Sequence, residues 1–196
     1  MSGISSFEDI EKEIERVKND FYKETGPKNT FFKKAQKYDC AKQVATKVQM
    51  DILLTRTCTI IHDTYCVHID YPILKSFACP DNFDIISEFI ISTFQHIKDT
   101  YGKLEVAFNL DGFTISAAER YKCLIEVFCN KCFQKNTGLS PFLTQFIVYN
   151  SPNLIESIRP IVMPFMEENV KERLVVVPRK DSEKYNRQFS NIHLHM

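Results

Sequence analysis

Three cysteines in the second half of the chain, Cys123, Cys129 and Cys132, form its densest cluster of residues able to ligate a metal or exchange disulfides. Cys129-Asn-Lys-Cys132 has the CxxC spacing, which brings two thiolates to one metal or to each other. The motif falls in or at the end of an expected helix, no second CxxC accompanies it, and it lacks the strand-to-helix setting of a thioredoxin site. It reads as unpaired thiols, with a zinc ion completed by a histidine from elsewhere as the alternative. His193 and His195 share one face of an extended tail, a spacing that can grip a metal, but at a chain end solvent exposure is expected. Glu105 and Asp111 are acids near strand ends for which the sequence offers no acid-base partner.

Other chemistries are excluded by what the chain lacks. Its five glycines, at 3, 26, 102, 112 and 138, are too scattered for a GxxxxGK or GxGxxG phosphate loop. No HExxH pair and no GxSxG elbow occur. No enzyme, cofactor or metal site is therefore expected. Lys and Arg number 25 and Asp and Glu number 25, so the basic excess that drives nucleic-acid binding by counterion release is missing. An odd count of seven cysteines, behind an acid-rich opening rather than a signal-like one, points to a reduced, cytoplasmic protein. The longest uncharged run, Asn136 to Ile155, contains Gly138, Pro141 and Pro152 and does not suit a bilayer.

The elements that carry these residues follow from hydrophobic period. Phe7, Ile10, Ile14, Val17 and Phe21 recur at helical steps and predict an amphipathic helix with an acidic exterior. After Gly26-Pro27 the charge sign reverses, and six lysines between Lys28 and Lys47 place a basic face on a second helix over about Asn29 to Gln49. Residues 1–50 are thus expected to be a helical appendage and 51–196 an α/β domain, together one compact unit. Cys58 to His62 and Tyr65 to Ile69 read as short strands of a hairpin. An apolar helix from about Asp81 to Lys98 precedes a strand at Leu104 to Leu110, and a helix over Ile115 to Phe133 precedes a strand at Phe146 to Tyr149. The segment Asn153 to Met166 has helical period interrupted by Pro160 and Pro164, and Leu174 to Val177 is a last strand apolar on both faces. Strand and helix alternate, which implies a mostly parallel sheet flanked by helices.

The run Phe146-Ile-Val-Tyr-Asn150-Ser-Pro152, then Pro164-Phe165-Met166-Glu167, then Arg173-Leu-Val-Val-Val177 resembles the CRAL-TRIO lipid-binding family. Members show an apolar strand ending in Asn-x-Pro, an amphipathic helix, a Pro-Phe-Leu-Asp break, and a basic residue opening the next strand. Val106-Ala-Phe-Asn109-Leu-Asp-Gly112 is similar to the family's strand ending in Asp-x-x-Gly, with Asn109 in place of the acid. The segment after Val177 is short for the family, and its N-terminal lobe is here expected as two helices. Pro141 stands where the inositol-lipid branch carries an acid, so that specificity is not carried over. Compactness is most similar to divergent CRAL-TRIO domains of Rho GTPase-activating and adaptor proteins.

The resemblance implies a non-enzymatic protein that holds or transfers a hydrophobic ligand such as a phospholipid. Ile155, Ile158, Val162 and Phe165 would line its cavity from a gate helix, and Arg173 would contact a headgroup. Plain core packing of that helix is the alternative for the same stripe. The basic helix offers a membrane-surface contact. The competing function is a protein-interaction adaptor on a degenerate CRAL-TRIO fold without a ligand cavity, a viral protein acting on host components included, which would dock a partner through the Phe7-to-Phe21 helix or the basic Asn29-to-Gln49 helix, or a second copy through the former.

Overall fold

The computed structural model describes residues 7–26, 33–133, 138–153 and 155–190. Three helices precede the first strand: α1 (Phe7–Thr25), α2 (Lys33–Lys47) and α3 (Met50–Thr57). The first two match the expected pair, although residues 29–32 lie outside the described residues. The short α3 was not expected, because eight residues show too little of a helical period to stand out. The α1 stripe does what its spacing requires: Ile10, Ile14 and Val17 are buried and share one apolar cluster with Val44 of α2, with Val48 just beyond its end, and with sheet residues Val67 and Ile69. The N-terminal helices therefore pack into the main core.

The sheet has five strands in chain order, β1 (Cys58–Ile60), β2 (Cys66–Asp70), β3 (Leu104–Asn109), β4 (Leu143–Ser151) and β5 (Leu174–Pro178). β1 and β2 form the antiparallel hairpin, turned at Asp63 in a left-handed conformation with φ of 57°, and the remaining pairs are parallel. Each parallel strand lies beside its predecessor, so right-handed crossovers must all return over the same face. That face carries α4 (Tyr71–Phe77) and α5 (Phe83–Tyr101) between β2 and β3, α6 (Ile115–Arg120) and α7 (Lys122–Phe133) between β3 and β4, and α8 (Ile155–Val162) and α9 (Glu168–Glu172) between β4 and β5. Among the described residues, the opposite face is covered by α10 (Glu183–Ser190).

Strand alternation divides the side chains between the two faces. Val67, Ile69, Val106, Phe146 and Val148 join the large core under the crossover helices, whereas Cys66, Ala107, Ile147 and Tyr149 form a smaller cluster with Phe189 of α10. Two boundaries differ from the sequence reading. The helix over Ile115 to Phe133 is two helices, interrupted at Tyr121, whose ψ of 11° leaves the helical path. α4 follows β2 at once, with Asp70 accepting a hydrogen bond from the Ile73 amide at 3.1 Å and Pro72 in its first turn. That Asp-x-Pro start is a legible helix signal.

Candidate functional site

A cavity of about 150 Å³ lies between the front of the sheet and the crossover helices. Its floor is one cross-strand row, Ile69, Phe108, Val148 and Val176, set side by side by the parallel register of β2 to β5. Ile86 and Ile90 of α5 and Leu124, Ile125 and Phe128 of α7 form its walls. The outer wall is α8 and the turn that follows it, through Ile155, Ile158, Val162, Met163 and Met166. Ile158 is buried, while the other four are half-buried, so solvent comes closest on this side. No carboxylate, histidine, lysine or serine lines the space among the described residues.

The sequence builds a weakly held wall there. α8 alternates apolar and polar residues at helical spacing, so one stripe faces the sheet. Pro160 lies inside it and Pro164 in the 3-10 turn Met163–Phe165, and each lacks the amide that would bind a carbonyl one turn earlier. Arg159 is the charged lining residue; its guanidinium lies 3.3 Å from the exposed Glu156 carboxylate.

The expected site residues take different places. Ile155, Ile158 and Val162 line the cavity together, but Phe165 does not, and Met163 and Met166 flank the space instead. The 3-10 winding turns Phe165 off the α8 stripe, which a helical period carried through Pro164 could not foresee. Arg173 is also not part of the lining: its Nη1 donates to the Ser140 carbonyl at 2.7 Å, tying the start of β5 to the turn before β4. Ser140 is a local hub, accepting from the Asn169 amide and donating to Glu167 at 3.2 Å.

The chemistry-bearing residues are dispersed. Cys129 and Cys132 are buried on α7, and burial pushes the Cys129 thiol up to about 12 and Cys132 up as well, so both remain protonated at neutral pH. Among the described residues no group of three His, Cys, Asp or Glu could hold a metal. His193 and His195 lie outside the described residues. Asp111 pairs with Arg179 at 3.0 Å, and Glu105 lies beside the buried Cys66 thiol, which it helps to keep protonated.

A polar ladder at the carboxyl ends of the strands escaped the sequence reading. Asp70 accepts from Asn109 Nδ2 at 3.5 Å, Asn109 Oδ1 accepts from Asn150 Nδ2 at 2.9 Å, and Asn150 Nδ2 also donates to Asn186 of α10 at 2.8 Å. The Asn150 amide donates to Ser182 Oγ at 2.8 Å, at the start of the C-terminal segment. Asn150 has a φ of 52°, a conformation that asparagine tolerates better than most residues. Burial pushes the Asp70 carboxyl up to about 6 against the opposing pull of the Ile73 amide and Asn109. The sequence hint was the polar residue closing each of β2, β3 and β4.

No protein-family model matches the sequence, and no curated protein matches it. Among solved structures, the chain is similar to the crystal structure of Sfh5, a Sec14-family protein of CRAL-TRIO type. The superposition has a TM-score of 0.55 at 13% identity and covers 95% of this chain and 84% of that one. The likeness is one of fold: an α/β architecture with a five-stranded, mostly parallel sheet flanked by helices.

Proposed function

We propose that this chain is a non-enzymatic binding protein that holds or transfers a lipid-like ligand, with hydrocarbon in the cavity beneath α8. The observation that carries the reading is the lining itself. A space bounded by isoleucine, valine, phenylalanine and methionine offers a hydrocarbon chain release from water at about 0.8 kcal/mol per methylene and asks for no hydrogen bond. The Sec14-like fold supports the same reading. About 150 Å³ suits a benzene-sized group, below the roughly 300 Å³ at which pockets for larger ligands begin. Admission of an acyl chain therefore requires α8 and its following turn to move outward, and the two prolines leave that segment with fewer backbone bonds to break. Ile155, Ile158 and Val162 are the gate lining in this proposal, extended by Met163 and Met166. Arg159, at the half-exposed wall, replaces Arg173 as the headgroup contact. Lipid uptake from a bilayer would be aided by the lysines of α2.

Of the two docking surfaces of the adaptor reading, the basic face of α2 is the more accessible. Ile10, Ile14 and Val17 are buried in the core, so a partner or second copy could use them only if α1 detached.

Native mass spectrometry of the purified chain, followed by extraction and identification of bound lipid, tests the proposal. A stoichiometric lipid, lost in Val162→Trp with the fold intact by circular dichroism, is the expected result. An apo mass together with no uptake from labelled phosphatidylcholine vesicles would overturn it.

A further inference from the structure

Arg120 closes α6 and is only 9% exposed, with no ion pair among the described residues. Its Nε–H is buried without an acceptor. The guanidinium carbon lies 5.5 Å from the centre of the Tyr121 ring; burial pushes the Tyr22, Tyr38, Tyr71 and Tyr121 hydroxyls up, and the Arg120 charge opposes that shift only in part, so these hydroxyls stay protonated beside it. Its backbone is fixed from the neighbouring layer, since Tyr38 of α2 donates to the Arg120 carbonyl at 2.5 Å. A second cation stands outside it: the Lys34 ammonium lies 5.9 Å from the Tyr38 ring centre and is exposed.

A guanidinium cannot shed its charge by deprotonation, and a buried charge without a counter-ion is costly. Tyrosine rings offset part of that cost through cation–π contact, but they leave the directed Nε–H donor unused. A buried guanidinium with an exposed ammonium further out provides a forked donor and a second charge, which fits a phosphate dianion better than a single carboxylate. We propose that Arg120 and Lys34, held on either side of Tyr38, form an oxyanion site for a phosphate group at the junction of α2 and α6. The site is distinct from the apolar cavity: Tyr121 lines that cavity and Arg120 does not. Inorganic phosphate, a small phosphomonoester and the headgroup of an anionic lipid share the required chemistry.

The test uses the whole chain and follows its melting by tyrosine emission, which no tryptophan masks. Inorganic phosphate, compared with chloride at matched ionic strength, raises the melting temperature of the wild type. It also shifts the Arg120 Nε–Hε resonance, assigned by its loss in Arg120→Met. Arg120→Met removes an unpaired buried charge, so it melts no lower than the wild type without phosphate and binds phosphate about ten- to a hundredfold more weakly. Sedimentation with phosphatidylcholine vesicles, with and without phosphatidic acid, separates the sources. Binding only to the free anion names a soluble phosphate ligand, and binding only to the acidic vesicles names a headgroup. If neither probe binds, or if Arg120→Met responds to phosphate as the wild type does, the proposal is wrong. If Arg120→Met fails to fold, the wild-type resonance titration and Lys34→Met, expected to weaken phosphate binding severalfold, decide the matter. Val162→Trp keeps the phosphate response, so failure of the lipid-cavity reading is seen separately.

Discussion

Replacing Asp70 by asparagine probes the ladder that joins β2, β3, β4 and α10. The Asp70 carboxyl is pushed from an ordinary 3.8 up to about 6, chiefly by burial. A carboxyl that binds its proton more tightly when folded stabilises the fold most below about pH 3.8, and this contribution is lost as pH rises through about 6. The displacement of roughly two pH units corresponds to about 3 kcal/mol at about 1.4 kcal/mol per unit. An amide side chain at this position would carry no charge to desolvate, and its oxygen can still accept from the Ile73 amide, leaving only the long 3.5 Å bond from Asn109 to be lost. Asp70→Asn is thus expected to match the wild type near pH 4 and to exceed its stability near pH 7 by about 2–3 kcal/mol. Urea unfolding of both proteins at several pH values measures this, and taking the difference cancels carboxylates common to both, such as Glu13, which Arg16 holds below its usual range. Parallel stability curves for the two proteins, or a mutant less stable at pH 7, would refute the argument that burial of this charge dominates.

The back face and the thiols give two further expectations. Phe189→Ala removes the α10 ring that stacks on His68 at 4.9 Å, and by large-to-small core series it costs about 3–5 kcal/mol, capped by the local free energy of undocking α10. Limited proteolysis should then cut between 179 and 190 while β2 to β4 remain intact; unchanged resistance would show that α10 is held by other contacts. Of the seven cysteines, Cys123 alone is exposed, and burial pushes Cys58 and Cys129 up to about 12. A thiol reagent should therefore label one cysteine rapidly in the native protein and all seven after unfolding; rapid native labelling of Cys129 or Cys132 would restore the CxxC as a reactive pair.

The lysines of α2 show how a charge pattern and its use separate. Their periodic placement was readable, and a solvated basic face follows from it. Lys42, however, pairs with Asp81 at 2.5 Å across to the turn that precedes α5, so part of that face holds the helix layer together. Lys34 lies instead beside the tyrosines that surround Arg120. Neither assignment can be drawn from α2 alone, because each partner lies far outside that helix in the chain.

Local spacing by itself determined the order of strands and major helices, the existence of the α1 apolar stripe, and the apolar character of Ile155, Ile158 and Val162. These follow because a helix or strand shows its buried face as a period in the sequence. Short elements with one turn of pattern, α3 and α4, did not reach that threshold, and Tyr121 interrupted a helix whose apolar period continued. The tertiary structure alone decided that Phe165 is not part of the cavity lining, that Arg173 is engaged by Ser140, that Asn109 meets Asn150 and Asn150 in turn meets Asn186 of α10, and that Arg120 is buried with no ion pair among the described residues. Each is a relation between residues distant in the chain, fixed by sheet register and by the return of every parallel crossover over one face, and no local period records it.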